Sequence, residues 1–324
     1  MQVAAAPFLA ITAPERIRST LDLLVTDHCY EPRPDDPLAD WVATVAVPAF
    51  KALRALAGPA AACASIGTGS GLDMLAAIEI LGARRVGITD LHEDVVAAAA
   101  ANIAGNLAPG HAVTIEAGTG DLLAPLRPQG GYDMIYENLP NTPLRGSSTL
   151  ETDRTSSKHL APRPEQLPPL VETQLLALHY LALRQVVPVL APGGSVLSTI
   201  GARVPLGVLL EMAALAGHAA EVLIYTWKHQ ADPEEMIGGY AAWQQDGLGP
   251  FHFYPAAVLR EAFADDPPAA AGARALDLEA QLAPHRLDAP AALAALRAGE
   301  TLAHTVAVLR SRPLPGATAA GDAP

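Results

Sequence analysis

From Ala60 onward, short apolar runs alternate with segments of helical length, and this rhythm restricts the fold more than any other feature. Ala62–Ile66 is an apolar run that leads into Gly67-Thr-Gly-Ser-Gly71 and then an apolar helix over Leu72–Leu81, which Gly82 ends. The patterning predicts strands at Val86–Asp90, Val113–Glu116, Tyr132–Tyr136, Ser195–Ile200 and Glu221–Trp227, with helices at Glu93–Ile103 and Leu206–Leu215. Glu93 and Asp94 open their helix with negative charge, which the helix dipole favours. Strands and helices in alternation build a parallel sheet covered on both faces. The expected class is therefore α/β, with a doubly wound, mostly parallel sheet.

The flanks follow other patterns. Pro14–Val25 carries apolar residues at helical spacing, and His28–Asp36, with two prolines, reads as a loop. A second helix is expected over Leu38–Ala57, stopped by Gly58-Pro59. Residues 1–58 thus read as a helical N-terminal extension that packs over a ligand or mediates contacts in a possible homodimer. Arg145–Pro169 is polar, holds four prolines and reads as a long loop of the kind that forms lids. It and the loop around Tyr30–Arg33 are expected at the edge of the active site. Residues 228–312 read as an insertion plus a last strand, either His304–Arg310 or Phe251–Tyr254, and 313–324 as a flexible tail.

Composition removes several classes of function. A hydrophobic fraction of 50% with 17% charged residues supplies a buried core rather than a disordered chain. No apolar run reaches the ~18–20 residues that span a bilayer, so no membrane partner is expected. The N-terminus lacks an early basic region and is a poor signal peptide. Two cysteines exclude a disulfide framework, and the ten histidines show no metal-ligand spacing, so no metal is expected and a cytoplasmic location is the default. With 34 acids against 21 bases, the net charge of −13 argues against nucleic acid as a partner and for a small-molecule substrate.

The chemistry gathers at the ends of the predicted strands. Gly67, Thr68, Gly69, Ser70 and Gly71 form a G-x-G-x-G turn, in which glycine lets a ligand approach the main chain at a helix N-terminus. Leu72 stands where a dinucleotide fingerprint needs glycine. Asp90 ends the next strand; its carboxylate suits a ribose diol, and equally the cap of the following helix. Leu91 and His92 follow it, and Gly120-Asp121 lies after the third strand. Tyr136-Glu137-Asn138-Leu139-Pro140-Asn141 follows the fourth.

In this order and spacing, Leu56–Trp227 resembles the class I S-adenosylmethionine-dependent methyltransferases. The resemblance implies a Rossmann-like core at 59–227 in a seven-stranded sheet with one antiparallel strand, and S-adenosylmethionine as cofactor. It implies that Gly67–Gly71 lies under the methionine part, Asp90 on the ribose, Leu91 and His92 beside the adenosine, and Gly120-Asp121 at the adenine amino group. Asn138-Leu139-Pro140-Asn141 resembles the N-P-P-Y motif of nitrogen methyltransferases, with Leu139 and Asn141 departing from it. Asn138 would then orient the acceptor nitrogen. Glu137 beside it suits a cationic amine or guanidine such as arginine, in the role of charge partner or base. Tyr136, Pro140, Trp227, His252 and Tyr254 are the candidate walls of a substrate pocket. The alternatives are a protein or RNA methyltransferase and a non-catalytic cofactor-binding subunit.

Overall fold

The computed structural model describes residues 1–36, 39–144, 165–264 and 266–316. Most of the expected lid at Arg145–Pro169 and the end of the expected tail lie outside the described residues. The chain opens with β1 (Gln2–Ala4), α1 (Ala5–Phe8) and β2 (Thr20–Asp22), which pairs back on β1. A π-helical stretch over Val42–Ala46 runs on into α2 (Val47–Ala57). The alternating core follows as β3 (Ala62–Ile66), α3 (Leu72–Leu81), β4 (Arg85–Asp90), α4 (Glu93–Gly105), β5 (Thr114–Thr119) and β6 (Tyr132–Glu137). After α5 (Pro169–Thr173) and α6 (Ala177–Gln185) come β7 (Leu190–Gly201), α7 (Leu206–Leu215) and β8 (His218–His229). The remainder comprises α8 (Pro233–Gln245), β9 (His252–Pro255), α9–α12 between Ala256 and Arg297, the short β10 (Leu287–Asp288), and β11 (Leu302–Pro313).

β5, β4, β3, β6 and β7 lie side by side and parallel, as the alternation predicts. β11 runs antiparallel between β7 and β8, which settles the last strand in favour of the His304–Arg310 segment. Residues 252–254 lie instead in β9, which pairs with the start of β11 and carries β10, so among the described residues the sheet has nine strands and not the expected seven, β9 and β10 being added by the insertion. Alternation along β3 shows why both faces are covered. Ala62, Ala64 and Ile66 enter one core with α6, α7 and the 228–301 insertion, while Cys63 enters the other with α2, α3 and α4. Among the described residues no helix is long and apolar enough to cross a membrane.

The predicted helix at Pro14–Val25 does not form. Three buried polar side chains hold this segment extended instead. Glu79 of α3 accepts the N–H groups of Glu15 (2.9 Å), Arg16 (2.7 Å) and Ile17 (3.2 Å). Asn106, the C-cap of α4, accepts from Asp22 N and donates to Asp22 O, both at 2.8 Å. Asn102, one turn earlier, does the same for Leu24 at 2.8 Å and also donates to Ser70 O in the glycine turn at 2.9 Å. The two amides act as a substitute strand edge, satisfying backbone groups that a helix would satisfy internally. Local periodicity loses to these tertiary partners.

Asn102→Ala strands the Leu24 amide and the Ser70 carbonyl. The expected loss is about 1–3 kcal/mol in urea unfolding. Hydrogen exchange at residues 20–24 should accelerate more than exchange in β3.

Candidate functional site

Two cavities meet at the carboxyl end of β6. The first is lined by Gly67 and Gly69 of the turn, Asp90, Leu91 and His92 after β4, Gly120 and Asp121 after β5, and Asn138 and Pro140 after β6. His28, Cys29 and Tyr30 of the N-terminal loop close it from the other side. The second cavity is lined by Arg33, Trp41, Arg203, Lys228, Tyr240 and His304, among others. Tyr30, Asn138, Leu139 and Pro140 line both.

The first cavity is built by backbone geometry. Gly67, Gly69 and Gly71 have φ of +64°, +51° and +76°, a region that side chains with a Cβ disfavour. Thr68 N–H donates to Thr89 O at 3.0 Å and Gly71 N–H to Thr68 O at 2.9 Å, so the turn is tied to β4 and to itself. Of the five predicted turn residues, Gly67 and Gly69 line the cavity; Thr68 and Ser70 are buried in the turn, and Gly71 caps α3. Asp90 does not cap α4, whose N-cap is His92. Its Oδ1 accepts from His92 N–H at 3.2 Å, and burial raises its pKa above the usual carboxylate range. Gly120 N–H donates to Asp90 O at 2.9 Å, joining the two strand ends.

Asp121 is positioned by a residue that the sequence does not single out. Gln185 Nε2 donates to Asp121 Oδ2 at 3.2 Å, while its Oε1 accepts from Leu123 N–H at 3.1 Å. At the rim, His28 stacks on His92 with ring centroids 4.4 Å apart, and its Nδ1 lies 3.0 Å from Asp94 Oδ2. His28, His92 and Asp94 thus bring their ligand-type atoms within 4.8 Å of one another across a distance in sequence that no spacing rule covers.

Several predicted site residues lie elsewhere. Glu137 is fully buried and lines neither cavity. Its carboxylate lies 2.9 and 2.8 Å from His179 Nδ1 of α6 and accepts from Leu139 N–H at 3.2 Å. It braces the Asn138–Pro140 corner from beneath, so it does not meet a substrate cation. Tyr136 points into the core under α2, edge-on to Phe50 at 5.2 Å, and its hydroxyl accepts from Thr199 Oγ1 at 3.2 Å. His252 and Tyr254 are buried in β9 away from the cavities, and burial together with Arg286 pushes His252 down to about 4. Trp227 packs on His229 at 5.4 Å, and the next residue, Lys228, reaches the cavity in its place. Asn138 and Pro140 line both cavities.

The second cavity is walled by residues from distant elements. Arg203, just past β7, donates from Nη2 to Gln230 Oε1 at 2.6 Å, and its guanidinium lies 4.8 Å from the Tyr240 ring centroid. Lys228 Nζ donates to Ala39 O at 2.6 Å and sits 4.0 Å from the centroid of the Trp41 ring. Gly201 leaves room for Arg203, because a Cβ there would overlap Nη1. One sequence signal was available: a charged residue directly after, or inside, an apolar strand run.

No protein-family model and no curated protein sequence matches the chain. Solved structures resemble it at low identity. A putative RNA methyltransferase from Pyrococcus horikoshii has 11% identity over 84% of this chain and 85% of its own, with a TM-score of 0.40. The [4+2]-cyclase SpnF has 17% identity over 90% of this chain and 88% of its own, with a TM-score of 0.39. The ribosomal protein L11 methylase from Lactobacillus delbrueckii subsp. bulgaricus has 20% identity over 56% of this chain and 70% of its own, with a TM-score of 0.36.

Glu137→Ala leaves His179 Nδ1 and the Leu139 amide without an acceptor inside the core. The expected cost is about 3 kcal/mol in urea unfolding, with Glu137→Gln losing roughly half of that because one acceptor oxygen remains.

Proposed function

We propose that this protein transfers the methyl group of S-adenosylmethionine to a nitrogen of a small molecule. The observation that carries the proposal is the pair of adjoining cavities that share Asn138. The first joins a glycine turn, a carboxylate at the end of the neighbouring strand and a second carboxylate one strand further on, all at strand carboxyl ends where α/β sheets bind ligands. The second opens beside it and has room for an acceptor.

In this proposal Asp90 accepts the two ribose hydroxyls, since an ionised carboxylate is acceptor-only. Gly67 and Gly69 let the main chain approach the amino-acid portion. Leu91 and His92 flank the adenine, and Asp121, held by Gln185, faces its amino group. When bound, the cofactor supplies an electrophilic methyl carbon on a sulfonium. The carbonyl oxygen of the Asn138 side chain accepts an N–H of the acceptor and aims the nitrogen lone pair along the transfer axis, a positioning effect. Glu137 and His179 keep the Asn138–Pro140 corner in place from below. With Glu137 occluded, arginine loses the charge partner that made it a candidate acceptor, and the nitrogen is presented by Asn138 alone.

Calorimetry should give micromolar-range binding of S-adenosylmethionine that Asp90→Ala weakens at least tenfold, about 1.4 kcal/mol. Unchanged affinity in that variant, or tighter binding of NAD, would contradict the cofactor. A mass-spectrometric screen of amine metabolites with labelled cofactor tests the transfer itself. Asn138→Ala should lower turnover about 10²-fold or more, the scale of lost alignment, while cofactor affinity stays within a few-fold. A fully active Asn138→Ala places the acceptor elsewhere.

A further inference from the structure

The second cavity holds two buried cations, Arg203 at 6% and Lys228 at 2% exposure, in a chain whose net charge is −13. Taking a charge out of water is costly unless a counter-charge accompanies it. Among the described residues, no carboxylate lies within 4.0 Å of either group. The partners of Arg203 are the neutral Gln230 side chain at 2.6 Å, a His304 ring nitrogen at 3.1 Å and the Tyr240 hydroxyl at 3.4 Å. Its Nε is buried with no hydrogen-bond partner. Lys228 has a backbone carbonyl and the face of Trp41. The nearby acid, Asp40, is engaged by the N–H groups of Arg33, Val42 and Ala43 at 2.7–3.0 Å.

Nothing in the fold needs these cations as structural ion pairs, yet β7 and β8 both deliver one to the cavity that adjoins Asn138. Resting on the methyl transfer proposed above, we infer that the acceptor carries a carboxylate, and that this group seats between Arg203 and Lys228 while its nitrogen reaches Asn138. The substrate class is then a small amino or imino carboxylate, with its body against Trp41, Tyr240 and Met236. Arg203 offers fixed N–H donors to the carboxylate and Lys228 offers a point charge. The anion supplies the counter-charge that the protein withholds.

The ionisation of Lys228 agrees with this arrangement. Burial lowers it to about 7, with Arg203 and Arg33 acting in the same direction and Asp40 and Asp36 opposing. Burial, with Arg203 and Lys228 acting in the same direction, holds the neighbouring His304 well below its ordinary value. An anion beside Lys228 favours the protonated amine. Carboxylate binding at pH 8 therefore takes up a proton, and binding at pH 6, where the amine is already charged, takes up less.

The test is calorimetry on the full chain with matched pairs of small amino carboxylates and their primary amides, each with and without S-adenosylhomocysteine. Carboxylates should bind at least tenfold tighter than their amides. Titrations at pH 8 of the matching carboxylate without its amine, in triethanolamine and in Tris, should differ in heat by the uptake of a proton at Lys228. Lys228→Met should abolish the tenfold preference. Should that variant fail to fold, the wild-type pair comparison and the proton count decide. Equal binding of acids and amides, or no proton uptake at pH 8 with the carboxylate that lacks an amine, overturns the inference, as does tighter binding of phosphate monoesters than of carboxylates. S-Adenosylmethionine titrated in parallel separates the two proposals. Cofactor binding without a carboxylate preference removes this one alone. A carboxylate preference without cofactor binding supports the anion site and removes the methyl transfer.

Discussion

The site exists because β3 pairs with β4 on one side and β6 on the other, both parallel. The connections leaving β3 and β6 therefore run to opposite faces of the sheet, and a crevice opens between them at the carboxyl ends. The residues after β3, β4, β5 and β6 all face that crevice. The first cavity follows from strand order, and the glycines of the turn after β3 let the chain descend into it without side chains in the way.

Buried polar clamps then fix the loops around the crevice. Asn102 links the N-terminal segment to the glycine turn through Leu24 and Ser70. Gln185 ties the loop after β5 to α6, and Glu137 with His179 ties the corner after β6 to the same helix. Each clamp uses a side chain on a regular element to satisfy backbone or side-chain groups in an irregular one. Such networks favour one loop conformation, although His179 Nε2 on the far side of its ring is buried without a hydrogen-bond partner. α6 holds two of the three, so the segment that precedes β7 sets the shape of the first cavity without lining most of it.

Charge is distributed against the overall balance of the chain. Among the described residues Asp40, Asp73, Glu79 and Glu137 are buried acids, yet none forms an ion pair with Arg203 or Lys228, which are buried around one cavity floored by β7 and β8. β11 contributes His304 to the same place from between those strands. The antiparallel strand, with the insertion before it, thus completes a pocket that the parallel strands alone leave open.

By itself the sequence determined the alternating core. Ala62–Ile66, Leu72–Leu81 and Leu206–Leu215 form with the bounds read from patterning, because each is an apolar run of strand or helix length set between glycine and proline breakers. It also located the glycine turn and the acids Asp90 and Asp121 at strand ends, where they line the first cavity. Tertiary structure decided the rest. Pro14–Val25 is extended because Glu79, Asn102 and Asn106 supply its partners from 62 or more residues away, beyond the reach of any local pattern. Glu137 turns from the cavity because His179, 42 residues on, lies beneath it. Arg203, Lys228 and His304 meet only once β7, β8 and β11 are hydrogen-bonded side by side. A pocket assembled from one residue on each of three strands leaves no spacing in the chain to read, since sheet pairing and not sequence distance brings its members together.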